Sequence, residues 1–112
     1  MVKLGIFTIG ILLSFELFAA CTATACTGVG KDALISVYPS SSGNIYLQAG
    51  AGKENLDCTL VEGHYMVLKS SHPVFDAAYS TVLTALAGEK TLTVRIVNDS
   101  PICEVSYVRM FM

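Results

Sequence analysis

The chain has 112 residues, 53% of them hydrophobic and 14% charged, with four cysteines, no tryptophan and a formal net charge of −2. That length suits one small domain and leaves no room for a second. Its basic residues Lys31, Lys53, Lys69, Lys90, Arg95 and Arg109 are scattered along the chain, so they give no footprint for a nucleic-acid partner.

Met1-Val2-Lys3 and the apolar run from Leu4 to Phe18 match the charged start and greasy middle of a secretory signal. The run is short of the ~20 apolar residues that a membrane-spanning helix needs. Glu16 is the one carboxylate inside it. Ala23 and Ala25 stand three and one positions before Cys26, the small residues that a signal peptidase requires, so the sequence predicts a signal peptide over 1–25 and a single domain over 26–112. A cut after Ala20 would leave bulky Phe18 at the third position back. The rival reading is a lipoprotein, with Cys21 or Cys26 acylated. Phe18-Ala19-Ala20-Cys21 has the small residues of a lipid-attachment box but Phe18 where leucine is usual, and Ala23-Thr24-Ala25-Cys26 is no better. Only this rival brings a membrane into the account.

The spacing of Cys21 and Cys26 is C-x4-C and not C-x-x-C, which argues against a redox or zinc pair. Cleavage at 25/26 leaves Cys26, Cys58 and Cys103 in an oxidising compartment, periplasmic or secreted. Cys58 and Cys103 fall in predicted strands and are the preferred disulfide, a staple worth roughly 2–4 kcal/mol to a small core. Cys26 is then left over, to be acylated, mobile at the terminus or joined to another chain.

In chain order, Ala33 to Tyr38 is rich in β-branched and aromatic residues and stops at Pro39, a strand signature. After the polar stretch Ser40-Ser41-Ser42-Gly43, the segment Ile45-Tyr46-Leu47-Gln48-Ala49 alternates, which predicts a hairpin with Tyr46 and Gln48 on its outer face. Gly50 to Asn55 reads as a turn. Asp57 to Val61 and His64 to Leu68 read as one bent strand or two short ones, interrupted by Glu62-Gly63.

Ser71-His72-Pro73 supplies a capping residue and a first-turn proline. The helix that follows carries Phe75, Ala78, Tyr79, Val82, Leu83 and Leu86 as an apolar stripe up to Gly88. Leu92, Val94 and Ile96 then alternate with Thr91, Thr93 and Arg95, the pattern of a half-buried strand. Asn98 to Pro101 turns the chain, and Ile102 to Met110 returns as a last strand. The apolar tail Met110-Phe111-Met112 is expected to be packed or at an interface. The fold class is mainly β with one helix (α+β), order β-β-β-α-β-β. This suits a five-stranded, partly open barrel of the oligonucleotide/oligosaccharide-binding (OB) type; an antiparallel sheet with one packed helix is the simpler alternative.

Catalytic patterns are thin. His64 and His72, with Cys58 and Asp57 or Asp76, have spacings of no standard zinc site, and no G-x-S-x-G elbow surrounds a serine. Glu54 and Asp57 flank a turn, and a domain this small offers little cleft for a glycosidase pair. Neither an enzyme nor a metal or cofactor is expected. Outward Tyr46, Gln48, Thr91, Thr93 and Arg95 form a mixed polar and aromatic set of the sort that binds sugars or proteins, with a plain solvent-facing sheet surface as the alternative.

Phe75-Asp76-Ala77-Ala78-Tyr79-Ser80-Thr81-Val82-Leu83-Thr84-Ala85-Leu86-Ala87-Gly88, followed by Leu92-Thr93-Val94-Arg95-Ile96, resembles the helix, glycine and V-x-I strand of the B subunits of bacterial AB-type toxins, especially the subtilase-cytotoxin kind. Cys26-Thr27-Gly28 and Gly43-Asn44-Ile45-Tyr46 are similar to stretches of small exported bacterial proteins of unknown function. The resemblance implies an OB-type barrel, a homo-oligomeric ring of five subunits and recognition of glycans on a target surface. No sugar-contacting residue carries over, because no binding motif of that family aligns with a position here. Without tryptophan, the platforms left for a sugar ring are Tyr38, Tyr46, Tyr65 and Tyr107. The expected function is therefore that of an exported, non-enzymatic module binding a glycan or protein surface. The alternatives are a periplasmic inhibitor or immunity-like protein presenting Ser40 to Asn44, or a small lipoprotein of structural role.

Overall fold

The computed structural model describes residues 19–112. Most of the expected signal peptide, residues 1–18, lies outside the described residues. In chain order the elements are β1 (Ala25–Val29), β2 (Leu34–Pro39), β3 (Ile45–Ala49), β4 (Tyr65–Leu68), α1 (Phe75–Ala87), β5 (Thr91–Ile96) and β6 (Val105–Met110). The strands form two three-stranded antiparallel sheets, β1-β5-β6 and β2-β3-β4. A single 3₁₀ turn, Gly30–Asp32, carries the chain from one sheet to the other. Gly50 packs against this crossing: its N–H donates to the Ala33 carbonyl at 3.1 Å, and a Cβ there would collide with the Asp32 carbonyl.

The expected mainly-β fold with one helix is present, with six strands in two three-stranded sheets where five strands in a partly open barrel were expected. Three local conformations account for the difference. The first strand expected from Ala33 is preceded by β1, a strand in the stretch assigned to the cleavage region. Asp57 to Val61 does not join a ladder, because Glu62 and Gly63 both take positive φ, 55° and 76°, and fold the chain back so that Val61 pairs with Tyr65. Cys103 also has a positive φ, 46°, so the last strand starts at Val105 and not at Ile102.

The core lies between the sheets and under the helix. Leu47 of β3, Met66 and Leu68 of β4, Leu92, Val94 and Ile96 of β5 and Val105 of β6 are buried, each on the inward phase of its strand. The helix adds Ala78, Val82 and Ala85, and Leu83 of the expected stripe is exposed instead. Helix α1 starts later than the sequence suggests, so Pro73 precedes it and Ser71 does not cap it. The side chain that finishes its start is His72, whose Nδ1 accepts the Val74 N–H at 3.1 Å. Since Nδ1 accepts, Nε2 carries the hydrogen and donates to the Ser106 carbonyl at 2.7 Å.

Cys58 and Cys103 are bonded to each other, with Cα atoms 4.8 Å apart, and tie the segment before β4 to the segment before β6. Cys26 is not left over: its partner is Cys21, and no cysteine among the described residues is free. In this pairing both sulfurs are bonded to each other, and neither is the free thiol on which an acylated thioether is built. Cys21 is itself core, with its N–H on the Ala51 carbonyl at 2.9 Å and its own carbonyl accepting from Asn55 Nδ2 at 3.1 Å. The boundary expected between Ala25 and Cys26 thus falls inside β1 and between two bonded half-cystines. Of the apolar tail, Met110 packs against the core, Phe111 lies under the Arg109 guanidinium at 4.7 Å and Met112 is 94% exposed. Among the described residues no helix is long and apolar enough to cross a membrane. Two disulfides fit a protein that matures in an oxidising compartment.

Candidate functional site

The outer face of sheet β2-β3-β4 collects aromatic rings. Along β3, Ile45, Leu47 and Ala49 point inward and Tyr46 and Gln48 outward, because side chains alternate across a strand. The antiparallel register sets Tyr38 of β2 directly opposite Tyr46, and on the other side sets Tyr65 of β4 opposite Gln48, diagonal to Tyr46. All three rings meet. Their centroids are 5.4 Å apart for Tyr38 and Tyr46, 5.7 Å for Tyr38 and Tyr65, and 5.9 Å for Tyr46 and Tyr65. The interplanar angles of 51°, 70° and 54° keep the rings tilted, as aromatic quadrupoles prefer.

These rings line a cleft of about 290 Å³ together with Ser40, Ser41, Ser42, Val61 and Glu62. The serine wall is stiff. Ser40 N–H donates to the Asn44 carbonyl and Gly43 N–H to the Ser40 carbonyl, both at 3.0 Å. Ser40 Oγ lies 2.7 Å from Ser42 Oγ, and Asn44 Oδ1 accepts the Ser70 N–H at 2.9 Å. Opposite it, Val61 and Tyr65 exchange backbone hydrogen bonds of 2.9 and 3.0 Å, which fixes the turn that carries Glu62. The lining is therefore aromatic and hydroxyl-bearing, with Glu62 as its one charged side chain. Such a surface offers aromatic rings for stacking and hydroxyls that both donate and accept.

The residues singled out from the sequence divide between two places. Tyr46 lies in the cleft. Gln48, two positions on, accepts from Ser36 Oγ at 2.9 Å and does not line it. Thr91, Thr93 and Arg95 occupy the outer phase of β5, which belongs to the other sheet. There Thr93 Oγ1 is 2.9 Å from Thr27 Oγ1, and Arg95 stands opposite Ala25 and Tyr107. Alternation along a strand tells which residues share a face of that strand; it does not tell that β3 and β5 lie in different sheets.

Nothing in the sequence marks Glu62 as a site residue; it offers Ser40 to Asn44 only as a loop that an inhibitor would present, and Tyr38 and Tyr65 only as platforms for a sugar ring. One signal was available: a hairpin centred on Ser42 places Tyr38 across from Tyr46. Elsewhere, Asp57 Oδ2 accepts from Asn98 Nδ2 at 3.0 Å, a bond that braces two turns. His64 Nδ1 lies 2.7 Å from Lys53 Nζ. Among the described residues no three His, Cys, Asp or Glu side chains come together as a metal site. The chain matches no protein-family model, no curated protein and no solved structure.

Proposed function

We propose that this protein is an exported, non-enzymatic binding module that recognises a glycan through Tyr38, Tyr46 and Tyr65. The observation that carries the reading is the convergence of three rings from three strands, with centroids 5.4 to 5.9 Å apart, beside a wall of serine hydroxyls. The C–H face of a pyranose stacks on such a surface while its hydroxyls exchange hydrogen bonds with the rim. The size of the cleft suits one or two sugar units.

The finer fold reading is an OB-like barrel whose first strand is bent into β1 and β2. It is supported by the unbroken run from Ala25 to Pro39 through one 3₁₀ turn, by the parallel bridge between Val67 and Glu104, and by a helix between the third and fourth strands of that count. Assembly into a ring of five, as the toxin-like resemblance implies, belongs to the same reading, since several weak sites on one ring gain avidity. A glycan array probed with the disulfide-bonded protein tests it. Binding is expected to a restricted set of glycans and to weaken about tenfold in Tyr46→Ala, the loss of ~1.4 kcal/mol of stacking and burial. A blank array together with one-to-one capture of a hydrolase would replace it with an inhibitor that presents Ser40 to Asn44.

A further inference from the structure

We infer that the tyrosine cleft selects a saccharide carrying a free ammonium group, an amino sugar without its N-acetyl cap, over neutral and acidic sugars. The inference rests on the glycan reading and specifies the ligand class of the same site. Its first support is the arrangement of the rings. Their centroids make a nearly equilateral triangle, so a group held over its middle lies within about 6 Å of all three, the range in which a cation is attracted to an aromatic face. The tilts between the rings turn them into separate facets of one cleft, where a flat stack would offer a single face.

The second support is the charge of the lining. Glu62 contributes a carboxylate, and the other lining side chains are hydroxyl-bearing or apolar. Lys53 and Lys69, the cations on the flanking segments, are engaged elsewhere, Lys53 with His64 at 2.7 Å and Lys69 with Glu104 at 3.8 Å. A sialic or uronic acid would therefore bring its carboxylate against Glu62 with no cation among the lining residues to offset it. The third support is the backbone at Glu62, whose φ of 55° belongs to the region that glycine and asparagine occupy most readily. A carboxylate stands at the rim although the turn itself would be better served by a residue without one.

The test is a calorimetric titration of the oxidised protein near pH 6 with deacetylated chitotetraose, its fully N-acetylated form and sialyllactose, repeated on Glu62→Gln and Glu62→Asn. The deacetylated sugar is expected to bind at least about tenfold tighter than the acetylated one, and sialyllactose more weakly than both. Glu62→Gln should bring the first two within about threefold of each other by weakening only the deacetylated sugar, and Glu62→Asn, which suits the turn, should do the same. Equal or tighter binding of the acetylated or sialylated sugar, or a preference unchanged in both variants, overturns the cationic selection. The glycan reading then still stands if Tyr46→Ala removes the binding. If none of the three sugars binds and the array is blank, the glycan reading falls and takes this inference with it.

Discussion

His72 shows how much one side chain can hold. Its ring accepts the backbone N–H of Val74, the residue just before α1, and donates to the Ser106 carbonyl in β6, so it fastens the entry to the helix onto the sheet. Replacing it removes two hydrogen bonds and leaves two backbone groups to find water. His72→Ala is expected to lower stability by about 2 kcal/mol, read as a lower urea midpoint at unchanged slope. A loss confined to the helix signal would instead place the role in α1 alone. Sequence patterning announced a cap here but assigned it to Ser71, because hydroxyls are the usual acceptors; a histidine acceptor is set by where β6 passes, which no local pattern encodes. Tyr46 was legible for the opposite reason. Its inward neighbours Ile45 and Leu47 are large and apolar, so the phase of the strand could be read at once.

Among the elements, β1 was the least legible. Its inward positions are held by Cys26 and Gly28, which carry too little apolar side chain to print an alternation, and the small residues before Cys26 imitate a peptidase box. The structure uses these residues otherwise. Asp57 N–H donates to the Ala23 carbonyl at 2.8 Å, Ile96 N–H to the Thr24 carbonyl at 3.0 Å and Thr27 N–H to the Ala20 carbonyl at 3.0 Å. Cleavage before Cys26 would remove those acceptors and one half-cystine together. The mature chain is therefore expected to begin at or before Ala20, to weigh four hydrogens less than its reduced form and to carry no acyl mass. Intact-mass analysis of protein secreted by a bacterial host, under non-reducing conditions, checks this. A start at Cys26 would mean that this first segment is dispensable to the fold.

For the whole molecule, the order β-β-β-α-β-β could be read from β2 onward, because those segments carry their own periods. The division into two sheets could not, since it depends on the turn at Gly30–Asp32 and on left-handed backbone at Glu62 and Cys103. The two disulfides act at different ranges on this architecture. Cys58 and Cys103 are 45 residues apart and Cys21 and Cys26 only 5. The entropy of closing such loops is worth about 4 kcal/mol for the first and about 2 kcal/mol for the second. The double variant Cys58→Ala/Cys103→Ala should thus lose roughly twice the stability of Cys21→Ala/Cys26→Ala in denaturant titrations. Equal losses would show that the short loop contributes through its packing in the core.

The gathering of Tyr38, Tyr46 and Tyr65 also has an optical consequence. With five tyrosines and no tryptophan in the chain, emission excited beyond the phenylalanine band is phenolic, and three of its five sources share one cleft. Excitation passes readily between rings this close, so a molecule that settles on any one of them perturbs the light from all three. The site thereby reports its own occupancy, without a label, against a background of only two other fluorophores.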